Sequence, residues 1–314
     1  MRAGAARGYI GHFHEAGFYG SDDEFQSLIV PFVEEGVAAG EPVILGYDDR
    51  KSDLLRSWLK DPAAVTFMAS KNLYSTPTRA IAAYQRLFES HRSRGARQIR
   101  FAGDVPHAGN GGSFEGWDRF ECALNTIWGS TPVWGLCLYD TVTAPAEVLD
   151  IIERAHPRIL SQSGEHRRCE RYQDSSEFQG LPVRPDPLES TPPLVELVDR
   201  TAAEARHALE SLGCGRVPEA MLADLLIGVS EAVNNAVRHG QAPTTVRIWA
   251  GADRIVVTVH DTGPGPADRL AGLAPASGGA LQGGLGLWFM HQLEADVELR
   301  YASGGFTVRL RGGR

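Results

Sequence analysis

The stretch EAVNNAVRHG, residues 231–240, decides how the second half of this chain folds. Its apolar residues recur with the period of an amphipathic helix, and Glu231, Asn235 and His239 are spaced so that they share one face. An asparagine can supply an oxygen ligand to Mg²⁺, and a glutamate can accept a proton from a hydroxyl nucleophile. A carboxylate and an amide one turn apart therefore suit magnesium–phosphate chemistry.

Residues 257–265, VTVHDTGPG, predict a strand followed by a tight turn. The strand would deliver Asp261 to its end, while Gly263 and Gly265 let the chain turn closely past a ligand. A fixed carboxylate at this place could accept a hydrogen bond from an exocyclic amine, such as that of adenine.

Residues 283–287, GGLGL, open a predicted apolar helix. Free N–H groups and the helix dipole make such a start an anion site, so Gly284, Leu285 and Gly286 are candidate phosphate contacts. All three lysines of the chain precede residue 72 and none follows a glycine, so there is no GxxxxGK[ST] loop. A phosphate site in the second half therefore needs backbone N–H groups, arginine or a metal.

Length and composition indicate two domains. The chain has 314 residues, and one domain typically takes roughly 150. Residues 174–193, DSSEFQGLPVRPDPLESTPP, contain five prolines, and proline favours extended chain, so we expect a linker there. We predict a first domain over residues 1–173 and a second over residues 194–314.

The first domain is predicted to be α/β with a mostly parallel sheet, because apolar strands alternate with amphipathic helices. The predicted strands are residues 42–47, 65–69, 98–103 and 133–139. The predicted helices lie near residues 24–39, 53–59, 78–94, 114–128 and 144–155.

The second domain is predicted to be an α+β two-layer sandwich, with helices against a mostly antiparallel sheet. The predicted helices are residues 194–212, 218–239 and 285–293. The predicted strands are residues 244–250, 254–261, 296–301 and 306–311, the last two forming a hairpin.

The three motifs of the second domain resemble the N box and the two glycine boxes of the GHKL ATPase superfamily. Within it, EAVNNAVRHG most resembles the anti-sigma factor serine kinases of the RsbW and SpoIIAB type. The resemblance implies that Glu231 is the general base, Asn235 the magnesium ligand and Asp261 the adenine contact. It also implies a pocket and lid shaped by glycines, namely Gly263, Gly265, Gly284 and Gly286.

The implied reaction is phosphoryl transfer from ATP, with Mg²⁺, to a serine or threonine of an anti-anti-sigma partner of the STAS type. His239 shares the helix face and is counted among the ATP-binding residues. The implied lid, residues 264–283, holds only Asp268 and Arg269 as charged residues, so Arg269 is a candidate phosphate contact. Such kinases usually stand alone, whereas this chain carries a large N-terminal domain.

The first domain resembles the MEDS family of sensory domains over residues 8–172. The resemblance rests on short motifs, among them His12, CLYD at residues 137–140 and His156-Pro157. It implies a RecA-like α/β core that lacks the phosphate loop and responds to a small ligand.

Four residues of the first domain are candidate sensor-ligand contacts: His12, Asp104, Cys137 and Tyr139. Ligand binding at the carboxyl edge of a parallel sheet would place Asp104, Tyr139 and Asp140 in range. His12 and Cys137 could meet in space and bind a metal or a small molecule. The alternative is that Cys137 is an ordinary buried strand residue and His12 a loop histidine.

Charge and cysteine content exclude several classes of protein. A net charge of −8 disfavours nucleic acid as the main partner. Four cysteines without a CxxC pair indicate neither a disulfide framework nor a structural zinc site. No long apolar run predicts a membrane span, and the first residues lack the apolar core of a signal peptide, so we expect a cytoplasmic protein.

Three functional hypotheses follow. The first is a regulator whose sensor domain controls a serine/threonine kinase that sequesters a sigma factor or phosphorylates its antagonist; the resemblance also allows a homodimer. The second is a non-catalytic module in which ATP sets the shape of the lid and so the affinity for a partner. The third is a histidine autokinase, against which His207 counts, since its surroundings are unlike an H box.

Overall fold

The computed structural model describes residues 2–70, 74, 76–175, 177–178, 185–268, 270–273, 285–293 and 295–313. The chain divides into two compact units, residues 1–181 and residues 182–314. Each unit has its own sheet and its own hydrophobic core.

The first unit is a layered α/β structure. Its strands are β1 (Phe13–Tyr19), β2 (Val43–Tyr47), β3 (Val65–Ala69), β4 (Ile99–Gly103), β5 (Val133–Asp140), β6 (Arg158–Leu160) and β7 (His166–Arg168). Its helices are α1 (Asp22–Ala38), α2 (Asp49–Trp58), α3 (Pro77–Ser93), α4 (Trp117–Ile127) and α5 (Ala146–Ala155). The strand order is β3-β2-β4-β5-β1-β6-β7, and every pair is parallel except β6 with β7. The predicted α/β class with a mostly parallel sheet is confirmed.

Strand β1 was not predicted, and its polar residues explain why. His14 and Glu15 are both buried in this strand. The Glu15 carboxylate accepts a hydrogen bond from the indole N–H of Trp134 at 2.7 Å and lies 2.9 Å from Nδ1 of His166. Because these polar side chains find partners inside the unit, they occupy positions where a buried strand normally carries apolar residues. The apolar run that indicates a central strand is therefore broken.

The second unit is an α+β sandwich. Its strands are β8 (Val195–Val198), β9 (Thr245–Ala250), β10 (Arg254–Asp261), β11 (Asp296–Ala302) and β12 (Gly305–Gly313). Its helices are α6 (Ala202–Gly213), α7 (Glu219–His239) and α8 (Leu285–Met290). The strand order is β11-β12-β10-β9-β8, with every pair antiparallel. The predicted α+β class of this domain is confirmed.

The helix predicted over residues 194–212 is wrong in its first third. Val195–Val198 instead pairs with β9 as an edge strand. Asp199 then takes a positive φ of 52°, which a helix does not allow. The helix begins after Thr201, whose hydroxyl accepts from the N–H of Glu204, while the Glu204 carboxylate accepts from the N–H of Thr201; together they form a capping box.

Helix α7 lies at the centre of the second unit. Its apolar face, which includes Leu225, Val229 and Val233, packs into the core against the sheet. Among the described residues it is also the one helix long and apolar enough to cross a membrane. Since this face is already packed on strands, length and composition alone do not make α7 a membrane span.

One described part of the predicted linker is not extended chain. Within it, Pro187–Ser190 forms a 3₁₀ turn that Asp186 caps. The Glu189 carboxylate of this turn lies 2.8 Å from a guanidinium nitrogen of Arg300 and 2.8 Å from one of Arg309. Proline suits the first position of a helical turn, and the two arginines give the carboxylate partners. The end of the stretch is therefore attached to the sheet of the second unit.

Candidate functional site

Helix α7 presents Glu231 and Asn235 toward the start of α8. Both side chains are half-buried. A Cβ built on Gly286 would lie 3.0 Å from Oε2 of Glu231 and 3.1 Å from Nδ2 of Asn235. The missing side chain of Gly286 therefore lets the α8 backbone approach both polar groups, and two of the three sequence motifs meet here.

Asp261 is fixed at the end of β10, beside the end of α7. It is only 4% exposed. Its Oδ1 accepts hydrogen bonds from the backbone N–H of Gln241 at 3.1 Å and of Gly263 at 2.8 Å. A Cβ on Gly240 would lie 2.4 Å from the Asp261 carboxyl carbon, so this glycine is required where α7 ends. Gly240 ends the quoted motif, but its packing role could not be read from the sequence.

The turn after Asp261 depends on Gly265. This residue has a positive φ of 70°, a conformation that favours glycine. A Cβ there would also lie 2.4 Å from the ring of Phe306. The backbone therefore turns close against β12, and the expected approach of this turn to a ligand stays a prediction.

The remaining predicted residues of this site are less well placed. His239, the last residue of α7, is exposed. The Asp268 carboxylate accepts from the N–H of Leu270 at 2.9 Å and so stabilises a local turn. Gly284, Arg269 and much of the predicted lid, as well as the side chain of Leu285, lie outside the described residues.

The donors around Gly286 suit a magnesium–phosphate complex. A carboxylate and a carboxamide are hard oxygen donors, and Mg²⁺ prefers such donors to nitrogen or sulfur. Gly286 leaves the space between Glu231 and Asn235 free of a side chain. The residues present therefore fit Mg²⁺ held by Asn235 and a nucleotide phosphate beside it.

In the first unit, Asp104 lies where the order of the parallel strands reverses. It follows β4 directly, and its Oδ2 lies 2.6 Å from Nζ of Lys51, which α2 carries. After β2 the chain crosses to β3 on one side, and after β4 it crosses to β5 on the other side. A crevice is therefore expected between the carboxyl ends of β2 and β4. Burial disfavours the charged form of Lys51, but the neighbouring carboxylate holds the pKa of Lys51 above its ordinary value.

The other three sensor candidates lie in the interior of the first unit. Sγ of Cys137 is 3.5 Å from Nε2 of His14, and the His12 ring stacks on the His14 ring at 4.5 Å between centroids. The Tyr139 hydroxyl donates to Oε1 of Glu121 at 2.9 Å. The structure thus places His14 within hydrogen-bond distance of the cysteine, with His12 stacked on His14.

Sequence reasoning missed His14, Glu121 and Lys51 as candidate residues. His14 belongs to the unpredicted strand β1, and Glu121 sits in the apolar run FECAL of α4. A lone carboxylate within such a run is a signal for a buried polar site, since an unpaired buried charge is unfavourable. It could have drawn attention to Glu121.

A small cavity lies beside Cys137. Its volume is about 10 Å³, and His12, His14 and several aromatic side chains line it. That is about the space one water molecule needs. A sensed molecule larger than water would therefore require these side chains to move.

Family comparisons match each unit to a different model. Residues 13–157 match the family described as MEDS: MEthanogen/methylotroph, DcmR Sensory domain. Residues 195–311 match the family described as Histidine kinase-like ATPase domain. These two ranges contain every predicted site residue except His12.

Among the solved structures that are similar to part of the chain are the following two. One is the histidine kinase domain of a blue-light activated histidine kinase from Erythrobacter litoralis, at 18% identity and a TM-score of 0.24, covering 36% of this chain and 58% of that one. The other holds the RsbU and RsbW domains of a Mycobacterium tuberculosis protein, at 20% identity and a TM-score of 0.24, covering 38% of this chain and 32% of that one. The chain thus spans less than two thirds of either. No curated protein matches it.

Proposed function

We propose that this chain, which joins a MEDS sensory domain to a histidine kinase-like ATPase domain, is a signal-responsive protein kinase of the anti-sigma factor type. Its substrate would be a serine or threonine of an anti-anti-sigma, STAS-type partner. The observation that carries the proposal is the approach of Gly286 to Glu231 and Asn235, because it joins two distant motifs into one site.

The site residues would divide the work as follows. Asn235 would hold Mg²⁺ through its amide oxygen, and Mg²⁺ would neutralise the phosphate charge when bound. Glu231 would accept the proton of the attacking hydroxyl. Asp261 would accept from the exocyclic amine of adenine through Oδ2, because its Oδ1 already binds two backbone N–H groups.

A hydroxyl substrate is favoured over a histidine of the chain itself. Histidine kinases place the acceptor histidine on a two-helix hairpin that precedes the ATPase domain. Among the described residues that lead into the second unit, a 3₁₀ turn and the edge strand β8 occupy this position. His207 is an exposed residue on the single helix α6.

The first unit would act as the sensor. The switch point between β2 and β4, beside Asp104 and Lys51, would bind a small polar ligand, and that binding would alter the kinase or its hold on a sigma factor. Dependence on ATP favours a cytoplasmic location, and the net charge of −8 favours protein partners over nucleic acid. A homodimer is part of the same proposal.

Phosphoryl transfer from labelled ATP to purified STAS-type proteins of the same genome tests the proposal. We expect acid-stable phosphate on the partner. Glu231→Gln should slow transfer by about 10²- to 10⁴-fold, the usual contribution of a general base, with nucleotide affinity nearly unchanged. Glu210→Gln, an exposed position on α6, is the matched control and should transfer normally.

Other outcomes separate the alternatives. Tight binding of nucleotide with no phosphoprotein would favour the non-catalytic module. Acid-labile phosphate on the chain itself would favour a histidine autokinase. Unchanged transfer by Glu231→Gln would remove Glu231 from the mechanism.

A further inference from the structure

Four buried donor side chains meet at one point inside the first unit. His14 comes from β1, Glu121 from α4, Cys137 from β5 and His156 from the residue that follows α5. One ligand atom of each lies within 4.8 Å of the other three. None of the four residues is more than 5% exposed. The proposed kinase chemistry uses none of them.

Hydrogen bonds around His14 turn its Nε2 lone pair toward this point. Asn125 donates through Nδ2 to the carbonyl oxygens of Cys122 at 3.3 Å and Ala155 at 2.8 Å, which fixes the orientation of its amide. Its Oδ1 therefore accepts from Nδ1 of His14 at 2.9 Å. The Nδ1–H tautomer leaves Nε2 unprotonated, as in a metal-ligating histidine whose other nitrogen has an outer partner.

His156 is held in the same way. Its Nδ1 lies 2.7 Å from the carbonyl oxygen of Ile152, which can only accept, so Nδ1 carries the proton. Its Nε2 is buried and, among the described residues, has no hydrogen-bond partner. This nitrogen lies 3.5 Å from Oε2 of Glu121. Since buried polar atoms are nearly always satisfied, the orphaned nitrogen indicates a missing ligand.

Glu121 and Cys137 complete the donor set. Oε1 of Glu121 accepts from the Tyr139 hydroxyl at 2.9 Å, which leaves Oε2 to face the two imidazoles. Sγ of Cys137 lies 3.9 Å from the same Oε2. Two nitrogen atoms, one oxygen atom and one sulfur atom therefore surround one point. The other polar atom of each histidine and of Glu121 already has a hydrogen-bond partner.

The spacing of these atoms is close to that of a tetrahedral metal site. Zinc bond lengths place neighbouring nitrogen and oxygen ligands about 3.3 Å apart, and pairs that include sulfur about 3.6 Å apart. The Nε2 atom of His14 lies 3.5 Å from Sγ of Cys137 and 3.7 Å from Oε2 of Glu121. The remaining ligand atoms lie within 4.8 Å of one another, so side-chain shifts of up to about 1 Å would complete the coordination.

Charge balance favours a divalent ion. A carboxylate and a thiolate together carry two negative charges, which a divalent cation neutralises. Thiolate and imidazole ligands select a transition metal over Mg²⁺ or Ca²⁺.

We infer that His14, Glu121, Cys137 and His156 form a binding site for a divalent transition-metal ion of the zinc class. The site ties the sheet strands β1 and β5 to α4 and to the end of α5. The metal would thus stabilise the sensory unit directly, because metal-binding free energy adds to folding free energy.

The full chain, stripped with a chelator and then titrated with Zn²⁺ or Co²⁺, tests the inference. We expect one tightly bound ion per chain and, with Co²⁺, a thiolate-to-cobalt charge-transfer band. Cys137→Ser should abolish the band and lower the affinity by more than tenfold. Cys122→Ser, also a buried cysteine but outside the cluster, should keep both. A wild-type chain that retains no ion after titration overturns the inference.

A second variant keeps the test decisive where Cys137→Ser does not fold. The triple variant Cys122→Ser, Cys169→Ser, Cys214→Ser leaves the cluster intact and Cys137 as the sole thiol, since the chain has four cysteines, all free. A thiolate-to-cobalt band in this variant assigns the sulfur ligand to Cys137. Loss of the thiolate-to-cobalt band in the triple variant overturns the assignment of the sulfur ligand to Cys137.

Discussion

At the residue scale, two adjacent asparagines of the candidate nucleotide site differ in their surroundings. Asn234 and Asn235 are adjacent on α7, yet only Asn235 faces Gly286, and Asn234 is exposed. The two share a backbone environment and the same intrinsic helix propensity. A comparison of the two therefore isolates the ligand contact from any effect on the helix.

Asn235→Ala should weaken MgATP binding by at least about tenfold, which corresponds to about 1.4 kcal/mol, because an oxygen ligand of the cation is lost. Asn234→Ala should leave the affinity unchanged. Isothermal calorimetry on the full chain with and without Mg²⁺ measures both. Equal affinities for the two variants would contradict the role of Asn235.

Gly286→Ala addresses the same site from the other side. The added Cβ would lie 3.0 Å from Oε2 of Glu231, closer than ordinary van der Waals contact. Either the start of α8 or the Glu231 side chain must shift, so we expect weaker nucleotide binding and slower phosphoryl transfer. Gly304→Ala is a suitable control, since a Cβ there meets nothing within 4 Å. Normal binding by Gly286→Ala would show that this approach does not matter.

At the scale of elements, ion pairs attach the 3₁₀ turn Pro187–Ser190 to β11 and β12. Arg309 is fully buried, and both Glu189 and Glu298 lie within ion-pair distance of it. A buried guanidinium that loses one carboxylate is poorly compensated. The turn therefore contributes to the stability of the second unit as well as ending the linker.

Glu189→Gln should destabilise the second unit by about 1.5–3 kcal/mol, the range for hydrogen bonds to charged groups. Burial raises the pKa of Glu189, but the paired arginines and a backbone N–H outweigh this, so its pKa is lowered from 4.5. A lowered folded-state pKa means that the stability gained above pH 4.5 is lost as the pH falls below it. Urea unfolding at several pH values should show this loss in the wild type and a flatter profile in the variant.

The control for this prediction is Glu196→Gln. Its partner Arg247 lies 2.6 Å away, but both side chains are more than 40% exposed. An exposed pair of this kind contributes roughly 0–1 kcal/mol. A loss in Glu189→Gln no larger than in Glu196→Gln would contradict the proposed attachment.

At the scale of the whole molecule, two units with separate cores should respond to different ligands. Mg²⁺ with ATP should stabilise the second unit by about 2.7 kcal/mol at one hundred times its dissociation constant. Removal of a bound transition metal should destabilise the first unit. Differential scanning calorimetry of the full chain should therefore show ligand-specific shifts in separate transitions.

Two variants assign those shifts. Asn235→Ala should reduce the shift with ATP to about half or less, as a loss of affinity of tenfold or more implies, and keep the response to chelator. Cys137→Ser should reduce the response to chelator and keep the shift with ATP. A chelator response of wild-type size in Cys137→Ser would place the metal elsewhere.

The sequence by itself determined the α/β and α+β classes of the two units and most of their regular elements. It also placed Glu231 and Asn235 on one face, because a helix fixes the directions of residues four apart through local geometry. Strand β1 and the edge strand β8 were missed, since each depends on partners far along the chain that supply its hydrogen bonds and cover its polar residues.

Only the tertiary structure decided which side chains converge. His14 and Cys137 are 123 positions apart and meet because β1 pairs in parallel with β5. Gly286 reaches Asn235 in the same way, through the packing of α8 on α7. Such contacts are set by the register of strands and the packing of helices, which depend on the burial of the whole unit and leave no periodic signal in the sequence.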